Sequence, residues 1–204
     1  MERVSCLFLF IVPLVLSLGG SKALHISGGL RDSPTIKPIP NANIKVTTIA
    51  NGDALIEKAC QATLYKDFCI TTFKSRPEAQ TQDLKGLAFL SMKLAKEHAN
   101  VTAAYIAGKL KDEDNLPSGL EDALEECNDQ YDDALAQIED SMQAFFANAK
   151  NDVKTWLSTA ITNADTCEQT LKDSGVPGAL GDRNIVFEKL CSSALSATGS
   201  SFQQ

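Results

Sequence analysis

Six cysteines, two histidines and one stretch of carboxylates free of Lys and Arg are the residues of this chain whose types and spacing bear on chemistry. Thiols can cross-link, ligate metal or attack an electrophile. The last two uses need company that the sequence lacks. There is no CxxC pair, and His25 and His98 are the only histidines, so no metal site is expected. A nucleophilic cysteine needs a base beside it, and Lys189 near Cys191 is too little. His98 falls on the apolar stripe of a predicted helix, where a satisfied core histidine outweighs a ligand or base. His25 lies close to an expected cleavage point. No catalytic residue and no cofactor are therefore assigned, and the chain is expected not to be an enzyme.

Cross-linking depends on the compartment. Arg3 precedes an apolar run from Val4 to Leu18, and Ser21-Lys22-Ala23 supplies small residues for cleavage. Such a run falls short of the roughly 20 residues that span a bilayer, so residues 1–23 are expected to be a secretory signal. Cys6 leaves with it. Five cysteines remain, Cys60, Cys69, Cys127, Cys167 and Cys191. In an oxidising compartment four can pair, and the odd one must stay buried or bond outside the chain. The sequential pairing is favoured among the alternatives: Cys60 with Cys69 is local, and Cys127 with Cys167 follows from the helices that carry them.

Those helices are read from periodicity. Leu120, Leu124, Cys127, Tyr131, Leu135, Ile138, Met142 and Phe145 recur at steps of three and four, and Val153, Leu157, Ala160, Ala164, Cys167 and Leu171 resume the pattern. Steps of that size keep one helical face apolar. Folding the two helices back about a turn near Ala147 sets Cys127 opposite Cys167, each 20 residues from the turn. The expectation is a disulfide clamping an antiparallel helix pair.

The other segments complete a bundle. Residues 24–52, with Pro34, Pro38 and Pro40, are expected to be a flexible arm. Residues 53–76 are expected to form a helical hairpin held by Cys60 and Cys69. Ser75 and Pro77 are expected to open a long helix with Leu84, Leu87, Ala88, Ser91, Leu94, Ala95, His98, Val101, Tyr105 and Ile106 on its stripe. Asn100-Val101-Thr102 is a sequon, and Asn100 lies off that stripe as a candidate glycosylation site. A polar break over Asp112–Asn115 precedes a restart at Pro117 and Ser118. Gly175, Pro177, Gly178 and Gly181 form the next loop. A last helix is expected from near Asp182, with Val186, Leu190, Ser193 and Ala197 on its stripe and fraying beyond Thr198. Trp156, Phe145, Tyr105 and Tyr131 are expected to fill the seam. The fold class is all-α: an up-and-down four-helix bundle over 77–200 with a disulfide-bound N-terminal helical hairpin, inside one domain, 53–204.

The strongest electrostatic feature runs from Asp112 to Asp140, where 12 acidic residues occur with no Lys or Arg. Like-charge neighbours such as Glu125–Asp129 and Asp129–Asp133 oppose helix formation. The run reads either as a solvated face or as a surface for a basic partner, which it would steer and orient. With a net charge of −7, the chain suits neither nucleic acid nor an anionic membrane surface.

Four stretches resemble the plant invertase and pectin methylesterase inhibitor family: Ile56-Glu57-Lys58-Ala59-Cys60 through Tyr65 to Cys69; Asp83-Leu84-Lys85-Gly86-Leu87-Ala88; Ala123-Leu124-Glu125-Glu126-Cys127 with Tyr131 and Asp133-Ala134-Leu135; and Val153-Lys154-Thr155-Trp156-Leu157-Ser158-Thr159-Ala160 with Thr166-Cys167-Glu168. The resemblance implies a secreted four-helix bundle of the cell wall that inhibits a carbohydrate enzyme by covering its cleft, with Cys191 left as a free thiol. The stretch Phe145–Lys150 lacks the Pro-Lys-Phe motif frequent among invertase inhibitors, and Trp156-Leu157-Ser158 resembles the pectin methylesterase branch. That branch is favoured, with acid invertase as the alternative target. Its contact positions are matched by Asp129, Asp133 and Thr166. Ala136 and Gln169 depart from it, standing where some family members place acids. A reading from another class is a helical carrier with an apolar ligand in its core.

Overall fold

The computed structural model describes residues 50–111, 116–117 and 119–203. Residues 1–49, where a signal and most of an arm are expected, the expected polar break 112–115, Ser118 and Gln204 lie outside the described residues. Among the described residues six α-helices follow in order: α1 (Ala50–Ala59), α2 (Lys66–Lys74), α3 (Leu84–Leu110), α4 (Leu120–Phe146), α5 (Lys150–Asp173) and α6 (Arg183–Ser201). No strand occurs among the described residues. Helix α3 packs on α4 and α6, and α5 packs on the same two. The four long helices thus form an up-and-down bundle in which α3 and α5 are diagonal, with α1 and α2 lying over α6. Helix α1 opens at Ala50, inside the segment assigned to the arm.

The start of α3 differs from the sequence expectation. Ser75 closes α2, its hydroxyl donating to the Thr72 carbonyl at 2.8 Å, and Pro77 opens a separate 3-10 turn, Pro77–Thr81. The long helix begins only at Leu84, where the Asp83 carboxylate accepts from the Gly86 N–H at 2.7 Å. Both serine and proline suit a helix start, but the extended backbone at Gln82 and Asp83 resets the chain. Val101 also departs from the predicted stripe, being 64% exposed.

Between α4 and α5 the chain reverses over Ala147–Ala149. Asn148 takes a left-handed φ of 56°, which asparagine tolerates better than most residues, and the Ala149 N–H reaches back to the Ala144 carbonyl at 2.9 Å. The turn brings the Cα atoms of Cys127 and Cys167 to 4.6 Å, and their sulfurs are bonded. Cys60 and Cys69 are likewise bonded, with Cα atoms 5.8 Å apart, closing the hairpin of α1 and α2.

The end of α6 corrects the expectation of fraying. The helix runs on to Ser201, and Thr198, Ser200 and Ser201 are buried. Ser196 and Ser200 donate to the carbonyls of Ala59 and Lys58 at 2.6 and 2.9 Å, and the Ala62 N–H donates to Ser196 Oγ at 3.0 Å. These hydroxyls satisfy the free carbonyls at the C-terminus of α1. A polar tail is therefore ordered by the hairpin that covers it, which periodicity in α6 alone does not reveal. The core aromatics also differ: Tyr131, Phe187 and Phe73 are fully buried, whereas Trp156 and Tyr105 are half-buried. Tyr105 instead supports the Arg183 guanidinium, 3.6 Å from its ring centroid.

His98 joins α3 to the start of α6. Its Nε2 lies 2.9 Å from the Arg183 carbonyl, and that acceptor requires the hydrogen on Nε2. Burial pushes the imidazole below its usual range, the Arg183 charge adds to the effect, and the backbone hydrogen bond opposes it. Arg76 and Glu97 line the same surface recess as His98. A base depressed in this way contributes stability above the unfolded value near 6.5, and that contribution is lost as pH falls through the folded value. His98→Gln is therefore expected to flatten the slope of unfolding free energy against pH between pH 7 and pH 5. Urea melts of both proteins test this, and parallel slopes would refute it.

Candidate partner-binding face

The outward side of α4 is a line of carboxylates. Glu121, Asp122, Glu125, Glu126, Asp129, Asp132, Asp133, Glu139 and Asp140 are all exposed. Of these, Glu139 is the one paired to a cation among the described residues, with Lys96 of α3 at 2.6 Å. Asp129 and Asp133 stand one turn apart with no cation within pairing distance among the described residues. Thr166 is exposed on α5, its hydroxyl donating to the Thr162 carbonyl at 2.9 Å.

A polar link joins these two helix flanks. Gln130, next to Asp129, donates to Glu126 Oε1 at 2.8 Å and accepts from Asn163 Nδ2 at 3.0 Å. Asn163 lies one turn before Thr166 on α5, so the link ties the side bearing Asp129 and Asp133 to the side bearing Thr166. Glu126 is an acceptor, which fixes the Gln130 amide with its nitrogen toward Glu126 and its oxygen toward Asn163. Asn163 Oδ1 is then left buried with no hydrogen-bond partner. The signal for this link was present in the sequence as a polar residue on the buried stripe of α5, between Ala160 and Ala164.

Behind the face the bundle is braced. The Tyr131 hydroxyl donates to Asn184 Oδ1 at 2.8 Å, and Asn184 Nδ2 donates to Glu168 Oε2 at 2.9 Å. Lys172 pairs with Glu168 at 3.5 Å. Burial raises the Tyr131 phenol above its ordinary range, so it stays neutral as a donor. The network lies beside the Cys127–Cys167 bond, with Asn184 Nδ2 3.6 Å from Cys167 Sγ. Asn184 at the start of α6 was legible only as a polar residue near a loop.

The remaining candidates lie elsewhere. Cys191 is a free thiol buried in α6, and burial raises it far above its usual range. Asn100 is exposed on α3, its side-chain nitrogen donating to the Lys96 carbonyl at 3.0 Å. Gln169 is held by Asp173 at 2.7 Å, and Ala136 is exposed. Among the described residues, no three His, Cys, Asp or Glu side chains are grouped to hold a metal ion. No helix among them is long and apolar enough to cross a membrane. The arrangement can present fixed negative charge on a rigid two-helix surface.

Comparisons with known proteins agree on one relationship. The family described as "Plant invertase/pectin methylesterase inhibitor" matches residues 54–196. A "Pectinesterase inhibitor" from Actinidia deliciosa is 28% identical over 138 residues, covering 67% of this chain and 74% of that protein. A "Cell wall / vacuolar inhibitor of fructosidase 2" from Arabidopsis thaliana is 33% identical over 93 residues, 45% of this chain and half the length of that protein. The crystal structure of a mutant form of an Arabidopsis pectin methylesterase inhibitor superposes with a TM-score of 0.59 at 19% identity. It covers 71% of this chain and 95% of that one, and it speaks for the fold.

Proposed function

The chain belongs to the plant invertase/pectin methylesterase inhibitor family, and from that membership we propose that it is a secreted inhibitor of pectin methylesterase. It acts without chemistry of its own, by laying the acidic flank of α4 and α5 over the substrate cleft of the enzyme. The observation that carries this reading is the pair of exposed, unneutralised carboxylates of Asp129 and Asp133 on a flank tied through Gln130 and Asn163 to Thr166. Demethylated pectin is a polyanion, so an enzyme that holds it suits a groove of positive charge. A negative helix face enters the same groove and excludes substrate. The bundle brings this face already rigid, which spares the ordering cost of binding.

The compartment follows from the same reading. The signal segment 1–23 sends residues 24–204 to the cell wall, where the two disulfides persist. Asn100 carries the glycan on α3, the helix diagonal to α5, so the sugar does not crowd Thr166.

Inhibition of acid invertase is the second reading, favoured by the 33% identity to the Arabidopsis inhibitor of fructosidase. Titrating pectin methylesterase and acid invertase with residues 24–204 at mildly acidic pH separates the two. The expected result is a one-to-one endpoint with pectin methylesterase. Inhibition is expected to weaken as salt rises from 50 to 500 mM, because the screening length shortens from roughly 14 to 4 Å. An endpoint with invertase alone moves the assignment to the other branch.

A further inference from the structure

The end of the bundle remote from the Asp129–Asp133 face carries an aromatic surface that inhibition leaves unused. Phe89 of α3 and Phe146 of α4 meet with ring centroids 5.1 Å apart, and Phe145 stands edge-on to Phe202 beyond α6 at 5.5 Å. Phe146 is 69% exposed although burying such a ring is worth about 1.5–3 kcal/mol. Grouped apolar surface left in water marks an interaction site more often than a scattered residue does. Beside these rings opens a notch of about 390 Å³, walled by Phe89, Phe145 and Phe146 with Lys85 and Asn148 at its rim. A second recess of about 170 Å³ is lined by Phe202 and Leu195, with Lys150 and Lys154 at its edge.

Three lysines edge these recesses, and Asp152 stands between two of them in the chain. Lys85, Lys150 and Lys154 make no ion pair among the described residues, in a chain of net charge −7. Phenyl walls fit a flat apolar body, and an unpaired ammonium at the rim fits an anion attached to it. We infer that this end binds small aromatic carboxylates, the ring seated among Phe89, Phe145 and Phe146 and the acid on Lys85. The volume suits a ligand of one or two fused rings. Two other occupants fit poorly. Residues 24–49 offer Arg31, Lys37 and Lys45 against a single Asp32, the wrong sign for a lysine rim. A second copy docked about a two-fold axis would bring the same lysines toward each other. The seat lies on the outer end of the bundle, about 20 Å along α4 from Asp133, so ligand and enzyme need not compete.

The test uses residues 24–204 and two probes, the fluorescent aromatic sulfonate 1-anilinonaphthalene-8-sulfonate and 2-naphthoate. Saturable binding of one molecule per chain is expected, with a Kd on the order of 10–100 µM from typical ligand efficiencies. Naphthoate is expected to displace the dye at least ten-fold better than the neutral 2-naphthalenemethanol or the flexible octanoate. Phe146→Ala and Lys85→Glu are each expected to weaken binding at least ten-fold. Both positions are exposed, and an unchanged thermal melt confirms that each variant is folded. Absence of saturable binding overturns the inference, as it would if the arm or a second copy covered the notch. So does equal affinity in the wild type and both variants, or equal displacement by acid and alcohol.

Discussion

Asp133→Lys is expected to weaken inhibition of pectin methylesterase roughly 30-fold at low salt, a loss of about 2 kcal/mol. On the proposed function, reversing the charge replaces attraction by repulsion at the point where the negative flank meets its partner. The fold is not at risk, since Asp133 is exposed and makes no ion pair among the described residues. Stability is even expected to rise by a few tenths of a kcal/mol, because lysine relieves the like charge of Asp129 one turn away. The measurement is the inhibition constant of wild type and variant at two ionic strengths, with the gap narrowing at the higher one. Glu78→Lys, on the 3-10 turn between α2 and α3, serves as the control and is expected to leave inhibition unchanged. Equal inhibition by wild type and Asp133→Lys would remove the acidic flank from the mechanism.

The second large effect concerns the bond behind that flank. Replacing Cys127 and Cys167 together by alanine is expected to cost about 4 kcal/mol, from the loop entropy released over a separation of 40 residues. The corresponding loss for Cys60 and Cys69, nine residues apart, is about 2.5 kcal/mol. Urea unfolding under non-reducing conditions reads both. The two pairs are also expected to differ in function. Losing Cys127–Cys167 loosens α4 against α5 where the proposed function has Asp129 and Thr166 act together, so inhibition is expected to fall with stability. Losing Cys60–Cys69 loosens the hairpin over α6, on the other side of the bundle, and inhibition survives wherever the protein remains folded. The reverse pattern would place the inhibitory surface on the hairpin.

The parts of this architecture that periodicity made legible are those in which helices bury one narrow apolar stripe. Helices α4 and α5 are of that kind, and their cysteines could be set opposite one another from counting alone. Helix α6 is not. Its buried positions include Ser193, Ser196, Ser200 and Ser201, whose hydroxyls turn to helix carbonyls, so burial there is polar and carries no hydrophobic period. The start of α3 is not legible from capping residues alone, because Ser75 and Pro77 are good openers in themselves while the capping bond belongs to Asp83. Phe187, the central aromatic of α6, packs on Tyr131 with centroids 5.5 Å apart, a contact between helices far apart in sequence. Of the candidate face, the carboxylates were plain from their run. The amide link through Gln130 and Asn163 was not, since its meaning depends on which flank each residue turns toward.

Cys191 gives the molecule a clock that needs no engineering. Its sulfur is sealed between helices and held as the neutral thiol, so an alkylating reagent in solution has nothing to attack while α6 stays in place. Each covalent adduct therefore records an excursion in which that helix lifts away, and with alkylation slower than reclosing the labelling rate reports the fraction of molecules open at any moment.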